Sequence, residues 1–314
     1  MKVTPSLLSA LAQWRYSETF STTLMDIRSM LHLSSLPYLR SLEVFVHENY
    51  DWDRTFSDSR ILFPHLFQFF EVTVCDGIGL LVSFPSRVQL VVTFFQITIF
   101  TTPFTRGYSG RLFWLLTTNL SIDRLRCLKV LSYGVDPDVL VLDTIRPLFR
   151  FRSLASLDLS MYWAFGLSDA AMAELTSSFP LLGLLYLGNR TMSNRLGITY
   201  KSIVSVLKAC PELHTLGISF DAGSITASVT ISQREDDEEK WEGLNTRLSA
   251  ISVGNSPIAD PVLVALFLKT AMPRLTTVSP AGGNMEVWMR VESMLSSLVL
   301  KELKRRELQG LYAG

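Results

Sequence analysis

The side chains that ordinarily do chemistry are present in this chain but do not assemble into a recognisable constellation. Its four histidines, His32, His47, His65 and His214, are scattered, and no two stand at the spacing with which paired imidazoles grip a metal. His214 falls between Leu213 and Leu216, where a surface or hydrogen-bonded histidine on a strand is the ordinary reading. His47, Glu48, Asp51 and Asp53 gather in one short stretch, and so do Asp236 to Glu239. Each could meet a cation or a basic partner, yet loops collect acidic residues without needing either. Three cysteines, Cys75, Cys127 and Cys210, are far apart and form no C-x-x-C pair, which argues against a disulfide framework or a zinc module. G-x-S-x-G, H-E-x-x-H, the P-loop and the full G-x-G-x-x-G are all missing; Gly77-Ile78-Gly79 lacks the third glycine. The expectation is a chain that is not an enzyme, with no catalytic residue, cofactor or metal ligand.

Composition narrows the alternatives. Hydrophobic residues make up 48% of the chain and charged residues 18%, so it can fill a core and is not a disordered tail. With 29 basic and 29 acidic residues the formal charge is 0, and no global field draws it to nucleic acid or an anionic membrane. Residues 1–15 carry short apolar groups broken by polar residues, unlike a secretory signal, so an intracellular location, cytoplasmic or nuclear, is expected. The sequons at Asn119 and Asn189 then read as chance matches.

The elements that must position any functional residue are written in a recurring phrase, Leu-x-x-Leu-x-apolar. It runs from Leu36 to Val44, from Leu125 to Tyr133, from Phe151 to Leu159, then behind Phe179-Pro180 and Cys210-Pro211. Fainter copies follow Phe63-Pro64, Leu248 and Met272-Pro273. The copies stand roughly 26 to 35 residues apart, at the long end of the leucine-rich-repeat range. Between them lie helix starts: Ser168 before Asp169, Thr199 before a stripe of Ile203, Val206 and Leu207, and Asp260 before Pro261. This pattern predicts an α/β leucine-rich-repeat solenoid over 1–314, a curved horseshoe with parallel strands on its concave side and helices on its convex side. A terminal capping helix is expected over 285–308. Residues 63–116 fit the pattern poorly. Val88 to Phe104 is uncharged and rich in β-branched and aromatic residues, but it is short of the about 20 apolar residues of a membrane span. It reads as one or two buried strands of an atypical repeat, or as sequence foreign to the fold from a faulty gene model.

Strand periodicity also nominates binding residues. With leucines inward, the residues between them face the other side. Glu43, Phe45, Asp158 and Tyr186 are the emphatic members of that set, and Tyr186 has the aromatic character of an interface anchor.

The stretches "LSDAAMAELTSSFPLLGLLYLG" and "ITYKSIVSVLKACPELHTLGISFDA", with the later "ISVGNSPIADPVLVALFLKTAMPRLTTV", resemble the repeat region of fungal F-box-like proteins. The resemblance implies a client-recognition role: in such proteins an N-terminal F-box docks on the adaptor of an SCF-type ubiquitin ligase and the repeats present a client. Residues 1–35 carry no Leu-Pro-x-Glu-like phrase, so no adaptor-binding residue is assigned. The alternative is a free-standing repeat scaffold that binds a protein client without ligase coupling.

Overall fold

The computed structural model describes residues 16–23, 33, 35–46, 69–74, 90–99, 107–133, 139–160, 164–188, 197–226 and 244–297. The chain divides into two compact units, Met1–Ala164 and Phe165–Gly314. In the first unit lie β1 (Thr19–Thr23), β2 (Ser41–Val46), β3 (Phe69–Val74), β4 (Phe94–Ile99), helix α1 (Tyr108–Asn119), β5 (Cys127–Ser132) and the two-residue strand β6 (Val139–Leu140). The short helix α2 (Leu142–Ile145), a 3-10 turn (Arg146–Arg150) and β7 (Ser156–Leu159) follow. After the two-residue strand β8 (Ala164–Phe165), the second unit holds α3 (Asp169–Ser177), β9 (Leu184–Leu187), α4 (Tyr200–Ala209), β10 (Thr215–Ile218), β11 (Ala250–Gly254), α5 (Pro261–Ala271) and β12 (Thr277–Pro280). A last helix, α6, is described over 285–297.

These observations correct the expected leucine-rich-repeat horseshoe. The fold is α/β, built on parallel sheet with helices between strands in a Rossmann-like layout, and among the described residues no solenoid is indicated. The physical reason is that a Leu-x-x-Leu-x-apolar phrase reports only a strand with one covered face and the turn that leads into it. It does not dictate how successive strand-helix units are arranged in space, so the concave and convex sides inferred from it are withdrawn. One property separates the sheet from dinucleotide-binding folds. Within each unit the strands pair in chain order, β1-β2-β3-β4-β5-β7 and β9-β10-β11-β12, without the reversal that opens a ligand crevice at a switch point.

Alternation places the core. In β5 the side chains of Leu128 and Val130 are buried while Cys127, Lys129 and Leu131 are half-buried, and β7 repeats this with Leu157 and Leu159 inside. In β4, Phe95, Ile97, Thr98 and Ile99 are buried. Leu112, Phe113 and Leu116 of α1, Ile145 of α2 and Leu148 of the 3-10 turn are also buried in the first unit. The helices start where their caps require. Ser168 Oγ accepts from Ala171 N, Thr199 Oγ1 from Lys201 N, and the Asp260 carboxylate from Val262 N and Leu263 N. Of the 285–308 expected as a terminal capping helix, 285–297 are helical and residues 298–308 lie outside the described residues. Trp288 of α6 is fully buried, donates from Nε1 to Ser256 O at 2.9 Å and meets the Phe220 ring edge-on.

Register is pinned at the strand starts. The carbonyl just before a strand accepts from two successive N–H groups at the start of the next: Glu18 O from Arg40 and Ser41, Thr93 O from Arg126 and Cys127, Arg126 O from Ala155 and Ser156. In the second unit Gly183 O takes His214 and Thr215, and Ser249 O takes Thr276 and Thr277. A one-residue slip would move each buried leucine to the opposite face, so these paired contacts protect the core.

Candidate functional site

Parallel pairing without a bulge turns the alternation of single strands into rows across the sheet. In the first unit one row reads Ser21, Glu43, Glu71, Gln96, Lys129 and Asp158, each the register partner of the next. Neighbouring strands stand about 4.8 Å apart, so the row is a nearly continuous polar line. Ser21 is exposed; the other five are half-buried. The row beside it contains Phe45, Thr73, Thr98 and Leu131, and the row on the other side contains Ser41, Phe94, Cys127 and Ser156. Polar charge therefore sits between two mixed apolar borders.

The row is internally wired. Gln96 Nε2 donates to Glu71 Oε1 at 2.5 Å and to Thr98 Oγ1 at 3.3 Å. Lys129 Nζ lies 4.0 Å from Asp158 Oδ2, and Ser160 N donates to Asp158 Oδ1 at 3.0 Å. Burial pushes the Glu71 carboxyl above its usual range, the Glu43 charge beside it adds to this, and Lys129 and the Gln96 amide only partly oppose it. Asp158 is also raised. Its loss of solvent outweighs the Ser160 bonds and the Lys129 ammonium, whose contact is at the outer limit of an ion pair.

Little here can do covalent chemistry. Burial raises the Cys127 thiol, and Cys210, buried against the carbonyls of Thr176 and Phe179, is pushed up to about 11. A protonated thiol is a poor nucleophile. His214 is exposed, with Nδ1 3.0 Å from Thr215 Oγ1. Among the described residues no cluster of three His, Cys, Asp or Glu could hold a metal ion, and no helix is long and apolar enough to cross a membrane. His32, His47, His65, Glu48, Asp51, Asp53, Cys75, the Gly77-Ile78-Gly79 pair and Asp236 to Glu239 lie outside the described residues.

Of the four residues nominated from sequence, Glu43, Phe45 and Asp158 share the sheet face of the first unit, with Glu43 and Asp158 in the same row. Tyr186 belongs to the second unit. There its register partner is Gly217, and a β-carbon placed on Gly217 would fall 2.0 Å from Tyr186 Cδ1. The ring thus lies across the glycine main chain instead of standing free as an anchor; the absence of a side chain at 217 is what makes room for it. Sequence reasoning missed Glu71, Gln96 and Lys129. The sign was there in Phe70-Glu71-Val72, Phe95-Gln96-Ile97 and Leu128-Lys129-Val130, each a polar residue between two apolar ones. No protein-family model matches the chain, and no curated protein matches it.

Proposed function

We propose that the chain is a non-catalytic protein-binding module whose recognition surface is the sheet face of the first unit, centred on the row from Glu43 to Asp158. The observation that carries this reading is the register itself. Glu43, Glu71, Gln96, Lys129 and Asp158 occupy one line over five neighbouring strands, flanked by Phe45, Phe94 and Leu131. Side chains held on strands and half-buried by their neighbours lose little freedom on binding, which favours recognition. Three carboxylates against one ammonium disfavour a phosphate backbone, so the partner is a protein and not a nucleic acid. The raised Cys127 and Cys210 thiols disfavour nucleophilic catalysis by either, which favours binding.

Handing a bound client to an SCF-type ligase is the form of this function implied by the resemblance to fungal F-box-like proteins. The test is proximity labelling in source cells with the wild-type chain and a Phe45→Ala/Gln96→Ala/Asp158→Ala variant whose folding is checked by circular dichroism. A set of proteins labelled by the wild type and lost from the variant is expected; identical sets refute the assignment of the face. Recovery of an adaptor in the shared set supports ligase coupling, and its absence leaves a free-standing scaffold.

A further inference from the structure

We propose that the first unit's sheet face docks a cationic polypeptide segment, and that one arginine side chain of this partner is held between Glu43 and Glu71. The inference rests on the protein-binding reading above and adds the chemistry of the partner. Glu43 and Glu71 are direct register partners on the parallel strands β2 and β3, so their side chains leave the same face about 4.8 Å apart. Like charges directly opposite on a sheet destabilise it. A cation from outside the chain would convert that repulsion into two attractions.

Nothing described within the unit does this for both carboxylates. Lys129, two strands from Glu71 and 4.0 Å from Asp158 Oδ2, only partly offsets the Glu71 charge, and Glu43 makes no ion pair among the described residues. Gln96 occupies Oε1 of Glu71 and fixes that carboxylate, which leaves its other oxygen for a second donor. Two carboxylates side by side suit the planar fork of a guanidinium better than the point charge of an ammonium. Phe45, half-buried and one step along β2 from Glu43, offers a ring for the aliphatic stem and for cation–π contact. The whole row carries three carboxylates and one ammonium, so a basic segment crossing the strands is complementary along its length, and an acidic one is not.

The test uses the full chain and fluorescein-labelled nonapeptides containing three arginines, three lysines or three glutamates, with a single-stranded RNA 12-mer as the rival macromolecule, measured by anisotropy at two salt concentrations. The arginine peptide should bind most tightly, the lysine peptide more weakly, and the glutamate peptide and RNA not measurably. Glu43→Gln/Glu71→Gln should weaken arginine-peptide binding about tenfold or more, the effect of losing charge-assisted hydrogen bonds. A charge-matched control, Asp123→Asn/Asp143→Asn, removes two exposed carboxylates of the same unit and should change it less than about twofold. The proposal is overturned if the double glutamine variant binds like wild type, if the control weakens binding equally, if glutamate peptide or RNA binds as well as arginine peptide, or if no peptide binds. Should the double variant not fold, Glu43→Gln alone carries the same comparison. Failure of these arms with a cellular partner still lost from the Phe45/Gln96/Asp158 variant would refute the charge assignment and leave the binding face standing.

Discussion

Replacing Asn245 offers a sharp test of the packing logic, because its side chain is 1% exposed and closes three contacts in the second unit. Nδ2 donates to Cys210 O at 3.3 Å, while Oδ1 accepts from Arg247 N at 2.7 Å and Leu248 N at 2.8 Å. In Asn245→Ala the Arg247 N–H, on an exposed residue, can turn to water. The Leu248 N–H belongs to a fully buried residue and cannot, whereas the Cys210 carbonyl keeps the Leu213 N–H as a donor at 3.1 Å. One buried donor left without a partner costs about 1–3 kcal/mol, so a loss of about 1–3 kcal/mol is expected. With a urea slope of about 2 kcal/mol/M, this lowers the unfolding midpoint by about 0.5–1.5 M. Asn245→Asp adds a second reading. The carboxylate keeps both acceptor contacts but faces the Cys210 carbonyl without a proton to donate, and burial raises its pKa above the unfolded value of about 3.9. A raised carboxyl is destabilising above its folded pKa, and the deficit shrinks as pH falls through that pKa towards the unfolded one, where the acid form can donate to Cys210 O. Urea titrations of wild type and both variants from pH 7 to pH 4 measure this. A cost below about 1 kcal/mol for the alanine variant, or an aspartate deficit that does not narrow with falling pH, refutes the reasoning.

Gly217→Ala forces its new methyl into the Tyr186 ring, and overpacking of this kind should cost about 1–3 kcal/mol with a changed tyrosine near-ultraviolet dichroism; an unchanged spectrum and midpoint would contradict the described stacking. Glu71→Gln removes a carboxyl that the fold holds above its usual range. Since a raised carboxyl makes the fold lose stability as pH rises from the unfolded to the folded pKa, the variant should match or exceed wild type at pH 7 and lack that weakly acidic pH dependence, as read by thermal melts across pH 4 to 7. Asp169 behaves in the opposite sense. Burial alone would raise it, but bonds from Ser202 Oγ and from the Thr199 N–H and hydroxyl outweigh this and hold it low. Its contribution is present above the unfolded pKa and lost as pH falls through the lower folded one, so Asp169→Ala should cost about 1–2 kcal/mol at pH 7 and less in strong acid, as followed by urea unfolding.

The local elements were legible because their causes are local. Ser168, Thr199 and Asp260 mark helix starts by the hydrogen bonds they can accept, and Leu128/Val130 or Leu157/Leu159 mark a strand face by alternation. The arrangement of these units was not legible, since alternation reports that a face is covered without reporting by what. The site was half readable. Glu43 and Asp158 stood out in strands whose leucine phrase was clear, whereas Glu71 and Gln96 were hidden in the apolar, threonine-rich stretch where the phrase lapses. That they join Lys129 in one row is a property of register, which no single strand encodes. Tyr186 shows the same limit: its residue type said anchor, and only its pairing with Gly217 revealed where the ring rests.

The carbonyls that each receive two N–H groups at the beginning of the following strand have a consequence for how the chain tolerates change. At β2, β5, β7, β10 and β12 alignment information is stored at the first residues of the strand, so the connections leading into these strands need not carry it. Residues can be gained or lost in the connections leading into β2, β5 and β7 while Ser21 stays beside Glu43 and Gln96, Lys129 and Asp158 stay side by side, whereas a single residue inserted inside a strand would break their line at that point.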